Sequence, residues 1–330
     1  MGRRFALALT SRPQPDPLAR GAKQAGVWEK GSPYSAKIGA LECGMTSLLT
    51  RERLLTVRAI FFDAVGTLLR SDPPVHEVYA RFARCYGLHP KETELCQRFR
   101  AAFARQRLRD RQHNWRTDEA RERQRWCEIV REVFPELADT EPLFSALWHH
   151  FARADAWGCY PEVADVLERL AARGYLLGIA SNFDSRLRQI YRNLPCLRQC
   201  SWLVISSEIG WVKPARTFFD TVAQTVGLPP SEILYVGDDY ETDCLPAMEA
   251  GFHAAWLHRH PYGSAVVPAT TASDKAKPGQ AAFGASGNLP EDKPARSAMP
   301  GQNTIPSSPY LLASLEELLT LLPPSASRSA

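Results

Sequence analysis

With 330 residues, 45% of them hydrophobic and 23% charged, the chain is long enough for one large domain or two ordinary ones of globular type. Its net charge of +4 is too small to argue for a nucleic-acid partner, and no apolar run is long enough to span a bilayer. Eight cysteines are scattered along it. The closest pair, Cys196 and Cys200, has no His or Cys neighbour that would complete a zinc pattern. With no secretory signal, this usage predicts reduced thiols in a cytoplasm.

Residues 1–56 are rich in Arg, Lys, Gly, Pro and Ser without a sustained period, which predicts a disordered tail. An Arg-rich, acid-poor start also suits a transit peptide, against which Asp16, Glu29 and Glu42 argue. A translation start at Met45 is a third reading. The run Ala59-Ile60-Phe61-Phe62 reads as a buried parallel strand ending at Asp63. Helical character follows over 72–158, with helices expected at 75–83, 92–111, 117–133 and 141–150. Thr117 is the expected N-cap of the third, which carries Trp126, Ile129, Val130 and Val133 on one face. This segment is dense in arginine. Most of these side chains read as a solvated face, with one or two left to attract an anionic substrate. His149 and His150 are adjacent, so on a helix they point in different directions and make no metal pair.

Beyond Tyr160 strands and helices alternate. Strands are expected at 175–180, 202–205, 233–236 and 254–257, and helices at 162–173, 184–193, 217–226 and 244–250. That alternation predicts a doubly wound parallel sheet, an α/β fold. The expected organisation is a core from 57–71 and 159–261, with the helical segment 72–158 inserted in it. A flexible insertion follows at 262–308, then a closing helix within 309–323, capped by Ser314 with Glu317 in a capping box. The tail 324–330 is expected to fray.

Four polar groups fall at strand ends or in the loops after them: Asp63, Ser181-Asn182, Lys213, and Asp238 with Asp239 and Asp243. In a doubly wound sheet they share one edge, where ligands bind. Asp63 is a candidate nucleophile toward phosphorus. Asp63 and Asp238 are hard oxygen donors suited to Mg²⁺. The Ser181 hydroxyl and the amides after Asp63 can hold phosphoryl oxygens, and Lys213 meets their charge. Asp243 can orient Lys213 or a metal-bound water. Singly, each of these motifs is an ordinary turn or loop; together, in this order, they make a site.

The set Asp63…Gly66-Thr67-Leu68, Ser181-Asn182, Lys213-Pro214 and Gly237-Asp238-Asp239…Asp243 resembles the four motifs of the haloacid dehalogenase (HAD) superfamily of hydrolases. The helical segment lies where that family inserts a cap, and the fuller motif sequences are similar to the branch containing haloacid dehalogenase-like hydrolase domain-containing protein 3. The resemblance implies a Rossmann-like core with a helical cap, Mg²⁺ as cofactor and a small phosphorylated substrate, without nucleic acid or membrane as partner. It implies an aspartyl-phosphate on Asp63, with Lys213 and Ser181 catalytic. It implies phosphate held by Gly66, Thr67, Ser181, Asn182 and Lys213, and metal held by Asp63, the Val65 carbonyl, Asp238 and Asp243.

One position departs. Family phosphatases carry a second aspartate two residues after the nucleophile, which protonates the leaving group and activates water. Here it is Val65, and a factor of about 10²–10⁴ in rate is at stake. Two other readings stay open: a catalytically lapsed binding protein on the same scaffold, and a 2-haloacid dehalogenase, whose leaving group needs no proton. Substrate identity and oligomeric state are not encoded in these motifs.

Overall fold

The apolar run at 59–62 forms β1 (Ala59–Phe62), all four residues buried. Its side chains alternate between two hydrophobic layers. Ile60 and Phe62 face one, Ala59 and Phe61 the other, as the two-residue period of a strand requires. The computed structural model describes residues 54–259 and 308–324. The expected N-terminal tail up to 53, the insertion over 260–307 and the end from 325 lie outside the described residues.

After Asp63 the chain turns into β2 (Leu69–Ser71) and enters four helices: α1 (Val75–Arg84), α2 (Glu92–Gln112), α3 (Glu119–Val133) and α4 (Glu141–His150). They enclose a core of their own, with Val78, Tyr79, Leu95, Ile129, Val130, Phe134, Phe144 and Leu147 buried together. The chain returns through β3 (Trp157–Cys159), which pairs antiparallel with β2. That two-stranded ribbon is the stalk of the helical cap.

The α/β part follows as α5 (Val163–Ala172), β4 (Leu176–Ser181), α6 (Arg186–Asn193), β5 (Trp202–Ile205), α7 (Ser206–Ile209), α8 (Arg216–Val226) and β6 (Ile233–Gly237). A π turn at Tyr240–Cys244, α9 (Leu245–Glu249) and β7 (His253–Leu257) come next, then β8 (Tyr310–Leu312) and α10 (Leu318–Leu321). The six-stranded sheet has the order β5-β4-β1-β6-β7-β8, and every pairing in it is parallel. The chain winds one way from β1 to β5, then crosses back to β6. The carboxyl edge of β1 is therefore the switch point, where a crevice opens. Helices α5, α6 and α10 cover one face; α8 and α9 cover the other. Among the described residues no helix is long and apolar enough to cross a membrane.

The structure departs from the sequence reading in several places. Leu54–Thr56 is a 3₁₀ turn with Leu54 fully buried in the core, so the tail expected over 1–56 gives way to ordered chain by Leu54. Asp118, not Thr117, caps α3: its carboxylate accepts from Arg121 N–H at 2.7 Å, while Thr117 Oγ1 donates to Glu122 Oε1 at 2.6 Å. Within 309–323, residues 310–312 form the sixth strand, because the outer edge of β7 leaves a ladder to fill. The closing turn then splits into 3₁₀ (Leu315–Glu317) and α10. Ser314 Oγ accepts from Glu316 N–H and Glu317 accepts from Ala313 N–H, a shifted form of the expected capping box. Finally, Cys159 and Cys196 form a disulfide across 37 residues. The fold brings the stalk strand β3 beside the turn after α6, which corrects the expectation of reduced thiols for this pair.

Gly178 of β4 stands opposite Phe61 of β1, and a Cβ there would lie 2.3 Å from the Phe61 ring. The ring cannot retreat from a fully packed layer. Gly178→Ala is expected to destabilise the chain by about 1–3 kcal/mol, read from urea unfolding midpoints; an unchanged midpoint would show that the layer yields.

Candidate active site

Three strand ends converge at the crossover. β1 delivers Asp63, whose N–H donates to Val236 O at 2.9 Å. β4 ends in Ser181, whose Oγ donates to Asp63 Oδ1 at 2.9 Å. β6 ends in Gly237 and is followed by Asp238. Between Asp63 and β2 the chain closes on itself. Leu68 and Leu69 N–H both donate to Ala64 O at 2.9 and 2.8 Å, and Gly66 N–H donates to Leu69 O at 2.8 Å. Gly66 takes a φ of +95°, and a Cβ on it would meet the Asp238 carboxylate at 2.5 Å. Glycine here answers both a backbone conformation and a close approach.

Lys213 arrives on the loop after α7. Its Nζ lies 2.8 Å from Asp63 Oδ1 and 2.5 Å from Asp243 Oδ1. Asn182 clamps its backbone: Lys213 N–H donates to Asn182 Oδ1 at 2.7 Å, and Asn182 Nδ2 donates to Lys213 O at 3.0 Å. The rings of Tyr235 and Phe218 wall the ammonium at 5.5 and 5.9 Å. Burial pulls the Lys213 pKa down, but Asp243 and Asp63 outweigh it and hold the ammonium well above its ordinary value. Asp243 is pushed up to about 7, mainly by burial; Lys213 opposes the shift, and Asp63 and Asp238 add to it. The π turn delivers Asp243 here, with Asp243 N–H on Asp239 O at 2.8 Å and Asp239 N–H on Asp243 Oδ2 at 3.0 Å.

Two carboxylates, Asp63 and Asp243, share the Lys213 ammonium, and Asp238 stands close beside them. Asp63, Asp238 and Asp243 each place a carboxylate oxygen within 4.8 Å of the others, and hard oxygens at that spacing suit Mg²⁺. Backbone presses close on the acids at two points: Gly66 against Asp238, and Gly237 against Asp243, where a Cβ would strike at 2.4 Å. The residues present fit a small divalent cation.

Of the residues picked from sequence, Asp63, Ser181, Lys213, Asp238 and Asp243 thus come together. Val65 sits beside them, 39% exposed, with no group that carries a proton. Thr67 is fully buried and its Oγ1 has no hydrogen-bond partner. The Asn182 side chain is committed to Lys213. Among the cap arginines, Arg98, Arg105, Arg109, Arg121 and Arg125 all pair with carboxylates of the cap itself; Arg105 and Arg109 lie on a solvated face as expected, whereas Arg125 is buried against Asp110. His149 bonds back to Ser145 O, and His150 packs against the rings of Phe82 and Phe151.

Sequence reasoning missed how the cap is fastened. Glu119 of α3 accepts from Ser185 N–H, Ser185 Oγ and Ser207 Oγ at 2.9, 2.8 and 2.5 Å. Val212 N–H donates to Trp115 O at 2.9 Å and Thr117 N–H to Gly210 O at 3.2 Å. The Arg116 guanidinium lies 4.1 Å over the Trp211 ring. These are single residues in turns or at the ends of helices, which no period announces.

The family model of the haloacid dehalogenase-like hydrolases matches residues 57–251, the span that carries all four motifs. The chain belongs to this family. Over 208 residues this HAD hydrolase is 28% identical to haloacid dehalogenase-like hydrolase domain-containing protein 3 of Danio rerio, covering 62% of this chain and 86% of that protein. Over 132 residues it is 36% identical to the pyrimidine 5′-nucleotidase YjjG of Escherichia coli (strain K12), covering 39% of this chain and 58% of that one. In fold it is similar to the HAD-hydrolase YfnB of Bacillus subtilis, solved bound to magnesium. That likeness has a TM-score of 0.56 at 16% identity, over 81% of this chain and 98% of that one.

The raised Asp243 pKa sets a pH dependence for this HAD hydrolase. The folded chain keeps that proton up to about 7, whereas the unfolded chain releases it near 3.8. Between those values the folded state binds more protons, so stability falls as pH rises through the window. In chelator-treated protein the urea midpoint is expected to fall across it, and Asp243→Asn to flatten the slope. A midpoint that climbs instead contradicts the sign.

Proposed function

We propose that this HAD hydrolase is a phosphohydrolase of small anionic substrates, acting through an aspartyl-phosphate on Asp63. The observation that supports it best is the hydrogen-bonded chain Ser181–Asp63–Lys213–Asp243. Ser181 and Lys213 both bind Oδ1 of Asp63, which fixes the carboxylate's orientation and leaves Oδ2 for attack on phosphorus. Lys213 then meets the negative charge that builds on the phosphoryl oxygens, in a buried site where that interaction is strong. Asp243 holds the ammonium in place. Water attack on the aspartyl-phosphate releases phosphate and restores Asp63. Asp63, Asp238, Asp243 and the Val65 carbonyl would hold Mg²⁺, which when bound screens the charge of the phosphate.

Val65 leaves the departing group without an acid. Substrates whose leaving groups need no proton, such as acyl or aryl phosphates, suffer least, and alkyl esters lose about 10²–10⁴ in rate. The same valine favours a second reading, a phosphate-binding module with little turnover. The 2-haloacid dehalogenase reading is supported less, because the Asp238 and Asp243 carboxylates serve no step of carbon–halogen displacement.

The deciding measurement is phosphate release from acetyl phosphate, p-nitrophenyl phosphate and alkyl phosphates, with and without Mg²⁺. Release is expected to need both Mg²⁺ and Asp63, to vanish in Asp63→Asn, and to rank acyl and aryl above alkyl. Equal rates for acyl and alkyl substrates would sink the leaving-group argument. Val65→Asp is expected to raise alkyl-ester turnover by about 10²-fold. No gain favours the binding module, and metal-free halide release from 2-haloacids favours the dehalogenase.

A further inference from the structure

We propose that Arg259 is a positioning residue for the nucleophile loop, holding the turn at 64–69, and with it Asp63 and Asp238, in register for phosphoryl transfer. This rests on the phosphohydrolase reading and adds a residue to it. Inside the loop, Ala64 O and Leu69 O are satisfied by the loop's own amides. Two carbonyls on its outer side are held from elsewhere. Arg259 Nη2 donates to Thr67 O at 2.8 Å, and Tyr160 N–H donates to Leu68 O at 3.2 Å. The two donors belong to one cluster: the guanidinium lies 3.8 Å over the Tyr160 ring, and its Nη1 is hydrogen-bonded to Glu162.

The lever from this cluster to the chemistry is short. Thr67 follows Gly66, whose Cα is pressed against the Asp238 carboxylate. A loop that swings outward at Thr67 changes that contact, and with it the spacing of Asp63 and Asp238. Asp238 is tied from the same strand end, since Trp256 Nε1 of β7 donates to Asp238 O at 3.1 Å. The end of β7 thus fixes both acid-bearing loops, one through Trp256 and one through Arg259. A guanidinium is required for the second task. It must stack on a ring while donating in two directions within its plane, which an ammonium cannot do.

The test uses the full chain with Arg259→Ala and Arg259→Lys. It reads p-nitrophenyl phosphate turnover together with hydrogen–deuterium exchange over 64–69. In Arg259→Ala, kcat is expected to fall about 10- to 100-fold with KM little changed, and exchange at the Leu68 and Leu69 amides to rise. Arg259→Lys is expected to recover little, and it supplies the same readouts if the alanine variant does not fold. Millimolar guanidinium chloride is expected to restore part of kcat in Arg259→Ala and none in Asp63→Asn. A fold defect gains nothing from a denaturing ion, so rescue separates positioning from misfolding. Unchanged kcat overturns the proposal, whether or not exchange rises. If the wild-type chain releases no phosphate, the phosphohydrolase reading fails and exchange alone decides: unchanged protection at Leu68 and Leu69 overturns the role of Arg259, and faster exchange sustains it.

Discussion

Lys213 is buried between two carboxylates that lie 150 and 30 residues away in sequence. Leaving such an ammonium, or either acid, without its partner inside the protein costs several kcal/mol, so the elements that deliver them must all be in place. β1 brings Asp63, the loop after α7 brings Lys213, and the π turn brings Asp243. The backbone clamp by Asn182 and the rings of Phe218 and Tyr235 belong to the same demand, because they fix the ammonium where no water can. The parallel sheet supplies what the ion pairs need: strand ends set side by side at one crossover.

The sheet was legible because its strands are nearly continuous apolar runs and end in polar residues, as buried parallel strands do. Asp63, Ser181 and Asp238 could be placed from the sequence because a strand end fixes a position even when its partners are unknown. What escaped was set by contacts that have no local pattern. The strand Tyr310–Leu312 is three residues long, too short for a period, and forms because β7 has an open edge. The disulfide between Cys159 and Cys196 needs the stalk and the turn after α6 to meet, while in sequence Cys200 was the nearer neighbour. Thr67 enters the expected phosphate site only through the family resemblance; in the structure its hydroxyl is buried.

The arginine-rich cap shows the same limit from the other side. Composition counted positive charges, and the fold pairs Arg98, Arg105, Arg109, Arg121, Arg123, Arg125 and Arg153 with carboxylates of the cap, but Arg107 with Glu241 of the core. The cap's fastening to the core depends on Glu119 and the backbone of Trp115 and Thr117, which touch the loops bearing Ser181 and Lys213, and on the arginines Arg107, paired with Glu241, and Arg116, stacked on Trp211. Cap and site are therefore coupled through backbone hydrogen bonds, the Glu119 carboxylate and the Arg107 and Arg116 contacts. Displacing the cap must break bonds to both loops together, so the position of the cap and the geometry around Lys213 are not independent variables.

Val65 bears on this coupling. Its side chain can neither donate a proton nor accept one, yet the turn it occupies keeps every device that a nucleophile loop needs: the glycine against Asp238, the closed ring of hydrogen bonds, and the carbonyls held from outside. Loss of one proton carrier beside an intact electrostatic frame is different from decay of a site. Decay has no reason to spare a buried lysine whose only compensation is two buried acids, or two glycines pressed against carboxylates, since each is costly to keep unless the others remain. On the phosphohydrolase reading, the frame would stabilise negative charge on phosphoryl oxygens, whatever group departs. The missing acid matters only in proportion to the basicity of that group. On that reading, a single apolar side chain at this position would narrow the range of leaving groups while leaving attack at phosphorus untouched.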